Sequence, residues 1–277
     1  MSAVTKVGFI GLGSQGAPMA RRIIEAGIPT TLWARRAETL ESFAGTGARF
    51  AASPAEVGAA SDLACVCVVD DAGVEEVVSG PNGLLEGMRL GSVIAVHSTV
   101  HPDTCARLAE RAAERGVGLV DAPVSGGGPA AEAGTLLVMA GGSPEDVERC
   151  APVFRTYGDP VVHLGPLGAG QRAKLINNLL LAANLGVAEG AFALARAFGV
   201  DPEQLSVVLE RGSGSSFATG MMGRSARFTL EPMGAKAGPL LQKDARIAGE
   251  LADSLGVKVS SVFEAADAAL ESMGCAR

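Results

Sequence analysis

The 277 residues are 48% apolar and 19% charged, with a net charge of −7 at pH 7. That length suggests about two domains, and that apolar share supplies a sizeable core, which excludes a disordered chain. The negative balance comes without a basic stripe, so neither nucleic acid nor an anionic membrane surface is expected as the main partner.

The first apolar run begins within a handful of residues, leaving no room for a charged n-region, an apolar h-region and a cleavage site, so a cytoplasmic location is expected. That run opens KVGFIGLGSQG, Lys6 to Gly16, which reads as a strand, a G-x-G-x-x-G turn and a helix. Gly11 permits the tight turn, Gly13 lets the backbone approach a pyrophosphate, and Gly16 lets the helix pack on the strand. Leu12, Ser14 and Gln15 complete the cofactor-binding turn, and the helix N-terminus offers free N–H groups and partial positive charge to an anion. With 37 glycines such a spacing arises by chance. The strand before it and the helical pattern of residues 17–26 after it make the signal specific.

The second strand, Thr30 to Ala34, ends beside the adenosine ribose in such a unit. A site for NAD commonly places Asp or Glu there, whereas this chain has Ala34, Arg35 and Arg36. Two guanidiniums suit a 2′-phosphate, so NADP is favoured, with NAD as the alternative if one arginine merely stacks on adenine or faces solvent.

Further apolar runs at residues 63–69, 92–96, 118–121 and 136–140 alternate with helical patterns at 54–59, 73–79 and 103–115, the punctuation of an α/β fold. The expected architecture is a Rossmann-type doubly wound sheet, with ligands at the strand C-termini and Val69 on the cofactor side. His97 and His101 have helical metal-ligand spacing but fall in a turn, HSTVHP, so no metal is expected. Five cysteines show neither C-x-x-C nor paired zinc spacing and read as reduced, packed thiols.

Downstream, APVSGGGPAAEAGTL presents Ser125, Gly126, Gly127 and Gly128 as a side-chain-poor loop whose N–H groups suit a carboxylate, or as a flexible interdomain turn. Near Gly165 the pattern becomes helical. The reading is a dinucleotide-binding domain at 1–165 and an all-α substrate and dimerisation domain at 166–277, joined by a long helix at about 169–198. Asn177, Asn178, Asn184, Glu189 and Arg196 interrupt that helix, so it is read as buried rather than membrane-spanning. Lys174 and Asn178 share one face near its start. There a lysine can handle the proton of a reacting hydroxyl while the amide fixes its geometry, or the lysine snorkels to solvent and the amide caps a neighbour. Lys243 and Asp244 read as a pair of the surface kind, which carries little.

These four segments, GFIGLGSQGAPMA, DAPVSGGGPAAEAGTL, GPLGAGQRAKLINN and KDARIA, occur together and in order. Over most of its length the chain thereby resembles the β-hydroxyacid dehydrogenases, of the 3-hydroxyisobutyrate dehydrogenase type. The resemblance implies that Lys174 is catalytic, that Ser125, Gly126 and Gly127 bind the substrate carboxylate, and that Asn178 holds the reacting hydroxyl. It places Thr99 near the nicotinamide and brings Lys243 to the cofactor and substrate, positioned by Asp244. It also implies a homodimer or homotetramer. The chain departs from the family pattern where His97 replaces an Asp before Ser-Thr and where Asp70 and Asp71 replace Pro-Asn.

With Arg35 and Arg36 favouring NADP(H), the expected activity is a metal-independent interconversion of a small β-hydroxy carboxylate and its semialdehyde by direct hydride transfer, with Lys174 handling the proton. Imine reductases share this architecture but replace the lysine with Asp or Tyr. A non-catalytic NADP-binding protein is the alternative of another class.

Overall fold

A computed structural model describes residues 4–277. In chain order its first elements are β1 (Val7–Ile10), α1 (Gly16–Glu25), β2 (Thr30–Trp33), α2 (Glu38–Glu41), β3 (Arg49–Phe50), α3 (Pro54–Ala59), β4 (Leu63–Val66), α4 (Asp71–Ser79), α5 (Leu84–Gly87), β5 (Val93–Val96), α6 (Pro102–Ala113) and β6 (Gly118–Asp121). The six strands form one parallel sheet in the order β3-β2-β1-β4-β5-β6, the doubly wound arrangement expected from the sequence.

Side-chain alternation along the strands explains the two cores. Phe9, Leu63, Cys65, Val93 and Ala95 pack on one face, while Ile10, Ala64, Val66, Ile94 and Val96 pack on the other. Local signals start the helices: Ser53, Asp70 and Ser143 each accept a backbone N–H of the turn they begin. The register is level at the carboxyl edge, where Ile10 pairs with Trp33 and Val66, Val66 with Val96, and Val96 with Asp121. The segments leaving that edge therefore emerge side by side.

A second sheet follows that the sequence did not suggest. β7 (Val124–Ser125), α7 (Gly127–Ala133), β8 (Leu136–Ala140), α8 (Pro144–Phe154) and β9 (Gly158–His163) place β8 between an antiparallel β7 and a parallel β9. The segment read as a glycine-rich loop is thus a strand end, a tight turn and a short helix.

α9 (Ala169–Ala197) comes next, and the rest is helical: α10 (Pro202–Arg211), α11 (Phe217–Gly223), α12 (Gly234–Ser254) and α13 (Ser260–Ser272). The chain divides into two compact units inside α9, the first ending at Lys174 and the second spanning Leu175–Arg277. Leu179, Leu185 and Phe192 of α9 build the core of the second unit with Leu241, Ala245 and Leu270. By length and composition α9 matches a membrane span, with a mean hydropathy of 1.4 over its most apolar window. Its core contacts and its polar positions fit a helix of a packed domain instead.

Candidate active site

The first turn has the shape of a phosphate cradle. Gly11 has φ +96°, and a Cβ there would lie 2.2 Å from the Cys67 carbonyl oxygen. A Cβ on Gly16 would lie 1.9 Å from the Gly11 carbonyl oxygen. These two glycines let β1, the turn, α1 and the chain leaving β4 close on one another. A Cβ on Gly13, by contrast, would meet nothing within 4 Å. Gly13 therefore faces open space, beside a helix start that lacks a side-chain cap at Gln15 and has no acidic residue in its first turn. Room beside N–H groups that no side chain caps is the arrangement that suits an anion such as a pyrophosphate.

The second glycine-rich turn lies against the first. Gly126 and Gly127 have φ of +132° and +73°, conformations that favour glycine, and α7 starts at Gly127. A Cβ on Gly128 would come within 2.9 Å of the Ser14 carbonyl oxygen. Ser125, at the end of β7, is half-buried beside this junction. The expected cofactor turn and the expected carboxylate turn are thus neighbours within one unit.

The start of α9 is fastened to the same edge by two buried side chains that the sequence reading passed over. Asp121, closing β6, accepts the backbone N–H of Gly168 at 2.6 Å through Oδ1 and that of Gln171 at 2.7 Å through Oδ2. Burial pushes the Asp121 carboxyl up from its ordinary value, against the lowering effect of these two N–H groups. The Gln171 side chain accepts from Val100 N at 3.1 Å and donates to Ser98 O at 2.8 Å. It therefore grips the chain on both sides of Thr99. One turn along α9, Lys174 is only 8% exposed. Most of its stem is therefore packed against protein rather than free in water.

Asn178, four residues beyond Lys174, donates from Nδ2 to Asp244 Oδ2 at 2.6 Å and accepts from Asn177 Nδ2 at 3.1 Å. Asp244 Oδ1 meets Lys243 Nζ at 3.0 Å, and the Asp244 side chain is 4% exposed. The Lys243–Asp244 pair is consequently not the surface pair expected from sequence. Its carboxylate is buried and orients the Asn178 amide.

The remaining candidates lie along the carboxyl edge. Arg35 and Arg36 are exposed just after β2, with Arg35 Nη2 2.6 Å from Glu76 Oε2 of α4. Val69 is 72% exposed after β4. Asp70 caps α4 through Gly73 N at 2.8 Å, and Asp71 accepts from His101 N and the Thr104 hydroxyl at 2.8 and 2.7 Å. The acidic pair is thus built into two helix starts.

His97, at the end of β5, is buried. Its Nδ1 donates to Ala122 O at 2.7 Å, and its Nε2 accepts from the Tyr157 hydroxyl at 3.1 Å. Loss of solvation lowers its pKa to about 4, so the ring is neutral. His101 instead caps α6 through Asp103 N. Cys65, Cys67, Cys105, Cys150 and Cys275 are free thiols. Among the described residues no group of three or more His, Cys, Asp or Glu side chains is placed to hold a metal ion.

Comparison with known proteins identifies the family. Residues 6–165 match the NAD binding domain of 6-phosphogluconate dehydrogenase, and residues 168–275 match the NAD-binding of NADP-dependent 3-hydroxyisobutyrate dehydrogenase family. The 2-(hydroxymethyl)glutarate dehydrogenase of Eubacterium barkeri is 37% identical over 218 residues, covering 79% of this chain and 72% of that protein. The mitochondrial 3-hydroxyisobutyrate dehydrogenase of Mus musculus is 36% identical over 220 residues, 79% of this chain and 65% of that protein. Among solved structures, the Mycobacterium tuberculosis 3-hydroxyisobutyrate dehydrogenase with L-serine superposes with a TM-score of 0.85 at 26% identity, covering 96% of this chain and 93% of that one. The chain belongs to the β-hydroxyacid dehydrogenase family, of the 3-hydroxyisobutyrate dehydrogenase type, and is an NAD(P)-dependent oxidoreductase.

Proposed function

We propose that this enzyme interconverts a small β-hydroxy carboxylate and its semialdehyde, without a metal, and prefers NADP(H) to NAD(H). The observation that carries the reading is the buried Lys174 side chain, one turn into a helix whose start Asp121 and Gln171 fasten to the carboxyl edge of the sheet. Relatives named for 2-(hydroxymethyl)glutarate and 3-hydroxyisobutyrate, both β-hydroxy carboxylates, support the substrate class.

In this reading the backbone of residues 11–16 holds the pyrophosphate, with Arg35 and Arg36 at the 2′-phosphate and Val69 and Thr99 along the cofactor. The nicotinamide, when bound, supplies the hydride-transfer chemistry. Ser125, Gly126 and Gly127 hold the substrate carboxylate through a hydroxyl and backbone N–H groups. Lys174 Nζ gives a proton to the carbonyl oxygen during reduction and takes it from the hydroxyl during oxidation. The Asn178 amide, oriented by Asp244, hydrogen-bonds the same oxygen.

The assembly we assign is a homodimer or homotetramer. Ile176, Leu180, Val187 and Leu194 form an exposed apolar row along one side of α9, 51–66% exposed, which supports burial against a second copy. We place the enzyme in the cytoplasm, with neither nucleic acid nor membrane as a partner.

The test follows nicotinamide absorbance with NADPH or NADH across small semialdehydes, glyoxylate and a cyclic imine. Turnover of a semialdehyde, faster with NADPH, is expected. Turnover of the imine alone would move the protein to the imine reductases, and NADPH binding with no turnover of any compound would favour a non-catalytic role.

A further inference from the structure

The helix α4 carries two consecutive acids, and each takes an arginine from a different element. Glu75 Oε1 meets Arg107 Nη2 of α6 at 2.6 Å, whereas Glu76 Oε2 meets Arg35 Nη2, just after β2, at 2.6 Å. β2 and β4 are the two neighbours of β1 in the sheet, with Ile10 paired to Trp33 on one side and to Val66 on the other. The Arg35–Glu76 pair therefore joins the segments leaving the two strands that flank the dinucleotide turn. Both side chains are well exposed, at 68% and 60%, so the pair lies in water and contributes little to folding.

We propose that Glu76 is a cofactor-specificity residue that weakens the enzyme's hold on the 2′-phosphate through Arg35. The proposal rests on the assignment of Arg35 to that phosphate. A guanidinium meeting a carboxylate through one Nη has already committed part of its donor set to an anion. A 2′-phosphate arriving there must share or displace that bond, and its own negative charge meets the Glu76 carboxylate at short range. NAD(H) carries a hydroxyl at that position, so it meets no such repulsion. Glu76 thus narrows the gap between the two cofactors, and the chain reads as moderately rather than strictly selective for NADP(H).

Replacing Glu76 by Gln isolates the charge, because the amide oxygen still accepts from Arg35 and keeps it in place. The experiment measures Kd for NADPH and for NADH, by quenching of protein fluorescence at low salt, in the wild type, Glu76→Gln, Glu75→Gln and Arg35→Ala. Glu76→Gln should raise the preference for NADPH over NADH by roughly two- to fivefold, the range of an exposed ion pair, and the gain should shrink at high salt. Glu75→Gln removes the same charge one residue away and should leave the preference near its wild-type value. If Arg35→Ala lowers NADPH affinity selectively while Glu76→Gln leaves the preference unchanged or reduces it, the role of Glu76 is rejected and the cofactor assignment stands. An equal gain in Glu75→Gln would also reject it, since the effect would belong to the net charge of α4. If Arg35→Ala weakens both cofactors equally, the assignment of Arg35 falls and the proposal with it.

Discussion

Asp121 Oδ2 accepts the backbone N–H of Gln171 at 2.7 Å, which ties the end of β6 to the first turn of α9 three residues before Lys174. A carboxylate at a helix start satisfies orphan N–H groups and complements the helix dipole. In this position it also fastens the first turn of α9 to the end of β6. Asp121→Asn keeps the shape but loses the charge and one acceptor oxygen. It should lower stability by about 1.5–3 kcal/mol, read from denaturant midpoints, and reduce kcat more than NADPH affinity. A variant of wild-type stability and kcat would remove Asp121 from the account.

The glycines of the first turn should separate by what surrounds them. Gly16→Ala drives a methyl group into the Gly11 carbonyl and should destabilise by about 1–3 kcal/mol despite the better helix propensity of alanine. Gly13→Ala meets only open space, so thermal stability should hold while NADPH affinity falls. Loss of stability in both, with cofactor binding intact in Gly13→Ala, would contradict the cradle.

His97 gives the fold an acid limit. Its pKa lies near 4 in the folded protein against 6.5 ordinarily, so between those values the unfolded chain binds the proton and the folded chain does not. This contribution is fully present above about pH 6.5 and is lost as the pH falls through 4, by about 3 kcal/mol in total. Urea midpoints measured from pH 7 to pH 4 should therefore decline more steeply in the wild type than in His97→Asn. Parallel declines would show that the ring does not carry the effect.

Leu180 and Val187 lie on the exposed row of α9. Leu180→Glu combined with Val187→Glu should shift the protein to a monomer in light scattering while its circular dichroism is retained. An unchanged mass would place the interface elsewhere.

The sequence made the Rossmann half legible because its signals are local. The β1 run and the glycine spacing act within a few residues, and the start and end of α9 lie within two residues of the expected ones. Of the second sheet only β8 was legible as a strand, because β7 has two residues and consecutive glycines disguise the start of α7. Asp121 and Gln171 were missed for another reason. Nothing near Asp121 marks it as a cap, since the N–H groups it accepts come from 47 and 50 residues downstream. Lys243–Asp244 looked superficial for the same reason: the burial of Asp244 and its bond to Asn178 depend on packing 66 residues apart in the chain.

The most direct test of the central claim is the turnover of a semialdehyde by Lys174→Ala, measured beside its Kd for NADPH. With Lys174 moving the proton, kcat should fall by about 10²–10⁴-fold while the Kd stays within a few-fold of wild type. A variant that binds NADPH normally and still turns over at the wild-type rate would contradict the claim.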